Sequence, residues 1–315
     1  MTTTAGTQEL LHAAEPAEST LRRPTRSLWS DAWRQFRRHR LALFGMVTLS
    51  VLLVATLIGP LVYRVSSDAI DYSQGLLGPS LAHPFGTDDL GRDLLARALL
   101  GGRVSMAVGV VAVLIAITLG TFVGAVAGFF GGRIDSTLMR VTDLFLALPV
   151  LPLLLLVTYL FREPMKKVFG ADAGVFLLIV GVIGALNWMV LARLVRASFL
   201  SIKEKEFIEA ARCIGAGNGR IMFTHILPNT LSAVIVAATV GVGAAIITES
   251  SLSFLGLGFP PDKPTWGRLL YDAQNYLDLA PHWAIFPGLL IFLTVLSINY
   301  IGDGLRDALD PRKTQ

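Results

Sequence analysis

Residues 104–130 are 27 consecutive positions without a charged side chain, and residues 41–63, 144–161, 173–192, 229–248 and 283–302 are further runs of the same kind. A helix needs about 20 apolar residues to cross the core of a bilayer. Only structures that satisfy their own backbone groups survive in lipid. Six such runs therefore predict an all-α, polytopic membrane protein with six transmembrane helices and both termini on one side. The composition agrees: 53% of residues are hydrophobic and 16% are charged, against about 25% charged in a soluble domain. This excludes disorder, a coiled coil and an ordinary cytosolic enzyme.

Residues 1–27 are polar and hold no short apolar core, so they read as a disordered, solvated tail rather than a secretory leader. Over residues 28–40, Leu28, Trp29, Ala32, Trp33 and Phe36 recur at helical spacing among Arg34, Arg37, Arg38 and Arg40. That pattern is a basic amphipathic helix lying in a membrane surface and leading into the first span. The net charge of +4 does not by itself argue for nucleic acid, because position matters more than sum. With the N-terminus inside, eighteen Lys and Arg fall on the cytoplasmic side and nine outside, so both termini are expected in the cytoplasm. Residues Arg162, Lys166 and Lys167 run against that rule. Cys213 is the single cysteine, which excludes an intrachain disulfide and a cysteine-rich metal site.

Several spans carry packing signals. Gly120, Gly124 and Gly128 repeat every fourth residue and should let another helix come close. Pro149 and Pro152 should kink the third span. Asn187 and Glu249 are candidate residues of a translocation path, as polar groups in lipid often are. Each also has a plainer reading: Asn187 as a hydrogen bond to another helix, Glu249 as an acid near the outer surface capping the next short segment. Asp88, Asp89 and Asp93 do not fit a calcium loop. Thr87 or Asp88 reads instead as the N-cap of a helix running through Leu100. The five histidines are scattered, and no metal site is expected.

The segment 201–228, between the fourth and fifth spans, is too polar for lipid. Phe207, Ala211 and Ile214 fall at i, i+4 and i+7 on one short amphipathic helix, and Gly215 stands where a C-cap glycine stands. A second helical stretch, 220–227, follows, and Pro228 sits at the start of the fifth span, where its missing N–H costs least. The apolar ridge suits a groove on another protein. A helix resting on the membrane surface or on its own bundle fits the pattern as well.

Glu209-Ala210-Ala211, then Gly215, then His225-Ile226-Leu227-Pro228 resembles the EAA loop of ABC importer permeases. The segment from His83 to Asp93, with Gly102-Arg103-Val104-Ser105, resembles the dipeptide/oligopeptide/nickel branch of that family. So do the stretch from Glu249 to Gly258, Pro264-Thr265-Trp266-Gly267, and the stretch from Gly302 to Pro311. The basic amphipathic helix resembles the N-terminal region of the C-type member of the permease pair. Cys213-Ile214 departs mildly from the family's usual alanine-leucine.

The resemblance implies a type I ABC importer permease fold. A tail (1–27) would be followed by the amphipathic helix, first span and extracytoplasmic segment (28–103), then a permease core (104–315) with its EAA loop at 201–228. It implies a bacterial inner membrane and four kinds of partner: a homologous second permease, two cytoplasmic ABC ATPase domains, an extracytoplasmic substrate-binding protein and the lipid bilayer. Glu209 would face basic or N–H groups of the ATPase, Ala210 and Ala211 would allow close approach, and Gly215 would make the turn. His225 and Pro228 would set the join to the fifth span. ATP and magnesium would be bound by the ATPase subunits. This chain has no G-x-x-x-x-G-K-[ST] loop and so is not expected to be an enzyme. The implied cargo is di- or oligopeptides, with nickel or another small ligand as the alternative on the same fold. An ion-driven secondary transporter would need internal repeats and a polar midplane site, and neither stands out. An intramembrane enzyme would need a nucleophile and base or H-E-x-x-H, and neither is present.

Overall fold

The computed structural model describes residues 33–309; the tail 1–27, Leu28, Trp29, Ala32 and the terminal residues Pro311, Arg312 and Lys313 lie outside the described residues. Only the end of the amphipathic helix can therefore be followed. There Trp33 stacks on Phe36 with ring centroids 6.0 Å apart, and Phe36 is buried.

Helix α1, Arg40–Val62, starts at His39, whose Nδ1 accepts the Ala42 N–H at 3.1 Å. Helix α2, Leu94–Phe130, is the central element. It is followed by α3 (Gly132–Ala147), α4 (Val150–Phe169), α5 (Ala171–Ala185) and α6 (Trp188–Lys203). Then come the short α7 (Glu206–Cys213), α8 (Leu227–Phe254), α9 (Trp266–Ala273) and α10 (His282–Leu309). The one extended pairing among the described residues is a single bridge between Thr87 and Asp93, so the fold is all-α.

Among the described residues, four helices are long and apolar enough to cross a membrane: Arg40–Val62, Leu94–Phe130, Asn218–Phe254 and His282–Leu309. The remaining two runs are bent pairs. The run 144–161 is divided between α3 and α4, which meet at 86° across Leu148 and Pro149. The proline effect expected as a kink is thus a full break. Pro149 precedes α4, and Pro152 lies in its first turn, where no N–H is needed. The run 173–192 is likewise α5 and the start of α6, bent by 40° at Leu186 and Asn187. Six spans result if each pair counts as one. The continuous spans bury only 22–39% of their apolar windows within the chain, so their other faces are left for lipid or another subunit.

The glycine repeat on α2 is used as expected, against α6. A Cβ on Gly120 would come within 2.7 Å of the Trp188 carbonyl oxygen, and one on Gly128 within 2.6 Å of the Phe199 Cβ. Gly124 meets the Ala192 carbonyl oxygen and Val195. Around α2, Val108, Ala112 and Val113 pack with Ile179 and Ile183 of α5, Leu154 of α4 and Leu252 of α8.

At the opposite end of α2 from α7, residues 63–93 form an irregular but heavily bonded segment. The N-cap of α2 is Asp93, whose Oδ1 accepts the Ala96 N–H at 2.7 Å. Neither Thr87 nor Asp88 caps a helix, and no helix begins between them and Leu94. Asp88 instead accepts the Leu90 and Arg92 N–H groups, each at 2.9 Å, and the Arg92 Nε–H at 2.6 Å. The Thr87 hydroxyl donates to the Gln74 carbonyl and accepts the Leu77 N–H. A capping acid and a loop-organising acid look alike in sequence because both need only a short carboxylate near free N–H groups. Asp93 Oδ2 also accepts the Tyr63 hydroxyl at 2.8 Å and lies 2.8 Å from His83 Nδ1, tying the end of α1 and the loop to α2. Asp93→Ala is expected to cost about 1–2 kcal/mol of stability from the cap alone. A lowered thermal midpoint of the detergent-solubilised chain would register it, and an unchanged midpoint would contradict this account.

Candidate functional site

Helix α7 is only eight residues long and holds its place by two side chains. Ile208 is fully buried and Ala211 nearly so; both face the bundle. Ile208 joins Phe129 of α2, Phe199 of α6, and Ile221, Met222 and Ile226 of the stretch before α8. The ridge expected from sequence is therefore split. Ala211 packs inward, while Phe207 and Ile214 are 47% and 86% exposed. Glu209 and Ala210 are exposed too, so the outward face of α7 presents Phe207, Glu209, Ala210 and Ile214. The sequence pattern missed Ile208, because a helix of two turns with apolar residues on both sides has no unique buried stripe.

The turn after α7 follows from its last carbonyls. The Gly215 N–H donates to the Arg212 carbonyl at 2.9 Å, and the Ala216 N–H to the Ala211 carbonyl at 3.0 Å. This pair of bonds is the Schellman termination, and it puts Gly215 at φ +86°. Nothing lies within 4 Å of a Cβ built there, so glycine is required by backbone conformation alone.

The second stretch is not a separate helix. One turn, Asn218–Arg220, passes into a π-helical stretch, Ile221–Ile226, and then into α8 without interruption. The cause lies at Pro228. It has no N–H for the Thr224 carbonyl, and its ring crowds that oxygen, so the turn before it widens. The Leu227 N–H reaches back to the Met222 carbonyl, and Asn229 Nδ2 donates to the His225 carbonyl at 2.6 Å. Pro228 thus sits inside a continuous 37-residue helix, Asn218–Phe254, rather than at the start of one. His225 is half-buried on the widened turn. Pro228→Ala should restore the regular bond to Thr224, raising thermal stability while lowering uptake per molecule several-fold. Unchanged uptake alongside a raised midpoint would show that the widened turn has no mechanical role.

The neighbouring helices are pinned to α6. Arg196 Nε and Nη2 donate to the two Asp135 oxygens at 2.5 and 2.6 Å, and Arg193 Nη2 donates to Asp143 Oδ1 at 2.5 Å. Lys203 Nζ caps the end of α2 through the Phe129 carbonyl at 2.5 Å and stands over the Phe129 ring. At this end of the bundle α2, α3 and α6 are tied by these bonds, and the α7–α8 connection packs onto α2 and α6 through Ile208, Ile221 and Ile226.

A cavity of about 710 Å³ lies between α2, α6, α8 and the end of α10. It runs from Ser232 and Arg306 to Val113, Ala244 and Ala245, with Asn187 on the α6 wall. Asn187 stands at the break between α5 and α6, and its Nδ2 donates to the Ile183 carbonyl at 2.7 Å, covering an acceptor that the break exposes. Most of the lining is Val, Leu, Ile and Ala. Glu249 is not on this wall. It is fully buried beyond the end of the cavity, near the C-terminal end of α8, and is bonded to Ser105 and Ser253. The structure therefore brings Asn187 to the cavity, leaves Glu249 outside it, and places Glu209, Ala210, Gly215 and Pro228 on the exposed α7–α8 connection.

Comparisons with known proteins bear on both features. The family described as binding-protein-dependent transport system inner membrane component matches residues 116–315, and the N-terminal TM domain of oligopeptide transport permease C matches residues 27–84. The chain is 40% identical to the dipeptide transport system permease protein DppC of Alkalihalophilus pseudofirmus, over 91% of this chain and 90% of that protein. It is 40% identical to the glutathione transport system permease protein GsiD of Pectobacterium atrosepticum, covering 91% and 92%. It is 38% identical to the oligopeptide transport system permease protein OppC of Haemophilus influenzae, covering 91% and 89%. Among solved structures, it is similar in fold to a chain of the MetNI methionine ABC transporter in an inward-facing conformation. There the TM-score is 0.52 at 20% identity, over 67% of this chain and 94% of that one.

Proposed function

This chain belongs to the family of binding-protein-dependent transport system inner membrane components, and on that premise we propose that it forms half of a translocation pathway for short peptides and drives it through α7. The chain is a permease subunit of an ABC importer. The observation that carries the coupling role is the continuity of the α7–α8 connection. An exposed helix is joined by one tight turn to a helix that runs unbroken into the cavity wall. A pull on the Phe207, Glu209 and Ala210 face therefore reaches Ser232 and Ala244 through rigid backbone. Two states of the cavity then follow from two positions of a partner.

The partner that pulls is a pair of ATPase domains, which hold the ATP and magnesium. A second permease covers the open side of the cavity, and an external binding protein delivers the cargo. The N-terminus and α7 lie in the cytoplasm, as the cation distribution implies. Peptide cargo is favoured over nickel because the relatives described above are named for dipeptides, oligopeptides and glutathione, all peptides or peptide-like. The cavity also presents no cluster of the carboxylate or imidazole ligands that a bare cation needs.

Exposed Glu209 is placed to accept from cationic or N–H groups of the ATPase. Glu209→Ala is expected to lower ATP-driven uptake about tenfold or more, the loss of one charge-assisted bond, with the chain still in the membrane. The test is the whole transporter in proteoliposomes with its binding protein, given radiolabelled dialanine, glutathione or nickel ion. ATP-dependent dialanine uptake supports the reading. Uptake driven by an ion gradient without ATP, or nickel uptake with no peptide uptake, overturns it.

A further inference from the structure

Glu249 has no part in the coupling path, yet it is a fully buried carboxyl in a membrane-spanning helix. Its oxygens are met by hydroxyls, with Ser253 Oγ donating at 2.8 Å and Ser105 Oγ at 3.2 Å, and no ion pair forms on it among the described residues. Ser105 belongs to α2, and its oxygen in turn accepts the Trp266 backbone N–H at 3.2 Å, at the first residue of α9. Trp266 is itself fully buried, and its Nε1–H donates to the Ala98 carbonyl of α2 at 2.9 Å. The junction is tight. A Cβ on Gly267 would come within 2.7 Å of the Ser250 carbonyl oxygen, and one on Gly102 within 2.8 Å of the Trp266 ring. Three elements therefore meet at one carboxyl: α8, which carries it, α2 through Ser105, and α9 through the Trp266 N–H on Ser105 and through the hydroxyl of its N-cap Thr265.

The position of this junction matters more than its existence. The cavity ends on α8 at Ala244 and Ala245, about one helical turn short of Glu249, and on α2 at Val113, about two turns short of Ser105. The junction therefore lies across the end of the cavity remote from α7. Hydroxyl bonds suit an element that must open and re-form, since each contributes only a modest net free energy.

We propose that Glu249 is the positioning residue of an outer latch: through Ser105 it holds the first turn of α9 between α2 and α8, closing the far end of the cavity until α7 is pulled. The inference rests on the cavity being the translocation pathway. It assigns Glu249 to the gate rather than to the pathway wall.

The test is thiol labelling of the assembled transporter in right-side-out vesicles, in a Cys213→Ser background, with Ala244→Cys as reporter and a membrane-impermeant maleimide as probe. Ala244 is exposed and lines the cavity at its end nearest Glu249. Without nucleotide, the reporter should be protected from the outside and labelled from the inside in inverted vesicles. Glu249→Ala should raise outside labelling about tenfold, the effect of losing about 1.4 kcal/mol of latch. Ser105→Ala, which keeps the carboxyl but cuts the link to Trp266, should do the same should Glu249→Ala fail to assemble. Glu249→Gln keeps the volume, one acceptor oxygen for one hydroxyl and an NH2 that can donate to the other hydroxyl oxygen, so it should restore most of the protection; a merely structural defect would not be rescued in this pattern. Outside labelling unchanged by both Glu249→Ala and Ser105→Ala in assembled complexes overturns the latch. A reporter protected from both faces in the otherwise unaltered complex instead overturns the pathway reading, and the two failures are thereby told apart.

Discussion

Gly215→Pro is expected to abolish ATP-driven uptake while the chain still reaches the membrane. Gly215 sits at φ +86°, whereas proline is locked near −65°. The substitution also removes the N–H that closes the turn onto Arg212. Both losses fall on the joint between α7 and α8, and no buried side chain is touched, because nothing surrounds a Cβ at this position. Gly215→Ala makes the graded control. An L-residue in the left-handed region costs about 1–2 kcal/mol, so uptake should fall partially and not vanish. Uptake measured against surface abundance, with co-purification of the ATPase as a second readout, checks both. Normal uptake in the proline variant would show that α7 is not the lever.

Gly124→Val is expected to have the opposite character, loss of the protein itself. The missing Cβ is where α6 lays its backbone, with the Ala192 carbonyl and Val195 pressed against it. Backbone cannot move aside as a flexible side chain can, so overpacking should cost about 3 kcal/mol. Gly120 and Gly128 flank the site with similar contacts, so strain would spread along the whole α2–α6 seam. Membrane abundance and thermal unfolding in detergent measure this. Wild-type abundance with a wild-type midpoint would refute the close-packing account.

Much of this was legible in the sequence because the signals are local: lipid makes the apolar runs obligatory, close helix packing the four-residue glycine repeat, and a positive φ the C-cap glycine. Positions 120, 124, 128 and 215 behave as their spacing predicts. What sequence could not give is direction. Hydropathy is blind to angle, so the 86° break at Leu148–Pro149 is hidden in an unbroken apolar run, as is the 40° bend at Asn187. Pro228 reads equally well as a first-turn residue and as the cause of a widened turn, because that difference depends on whether helix precedes it. The sequence pattern puts Phe207, Ala211 and Ile214 on one ridge and gives no sign of Ile208, because which face of α7 turns inward is decided by residues far away, among them Phe129 and Phe199. The burial of Glu249 depends on Ser105 and Trp266, more than a hundred residues upstream and some seventeen downstream respectively.

A peptide entering as a zwitterion brings tightly held water at both ends, and cavity walls made mainly of Val, Leu, Ile and Ala offer it almost nothing in exchange. Such a molecule keeps its hydration, touches the sides weakly and leaves as readily as it came. On the proposed pathway such walls would act as a turnstile, indifferent to who passes, and discrimination among cargoes would be exercised at the door, before this chain is reached.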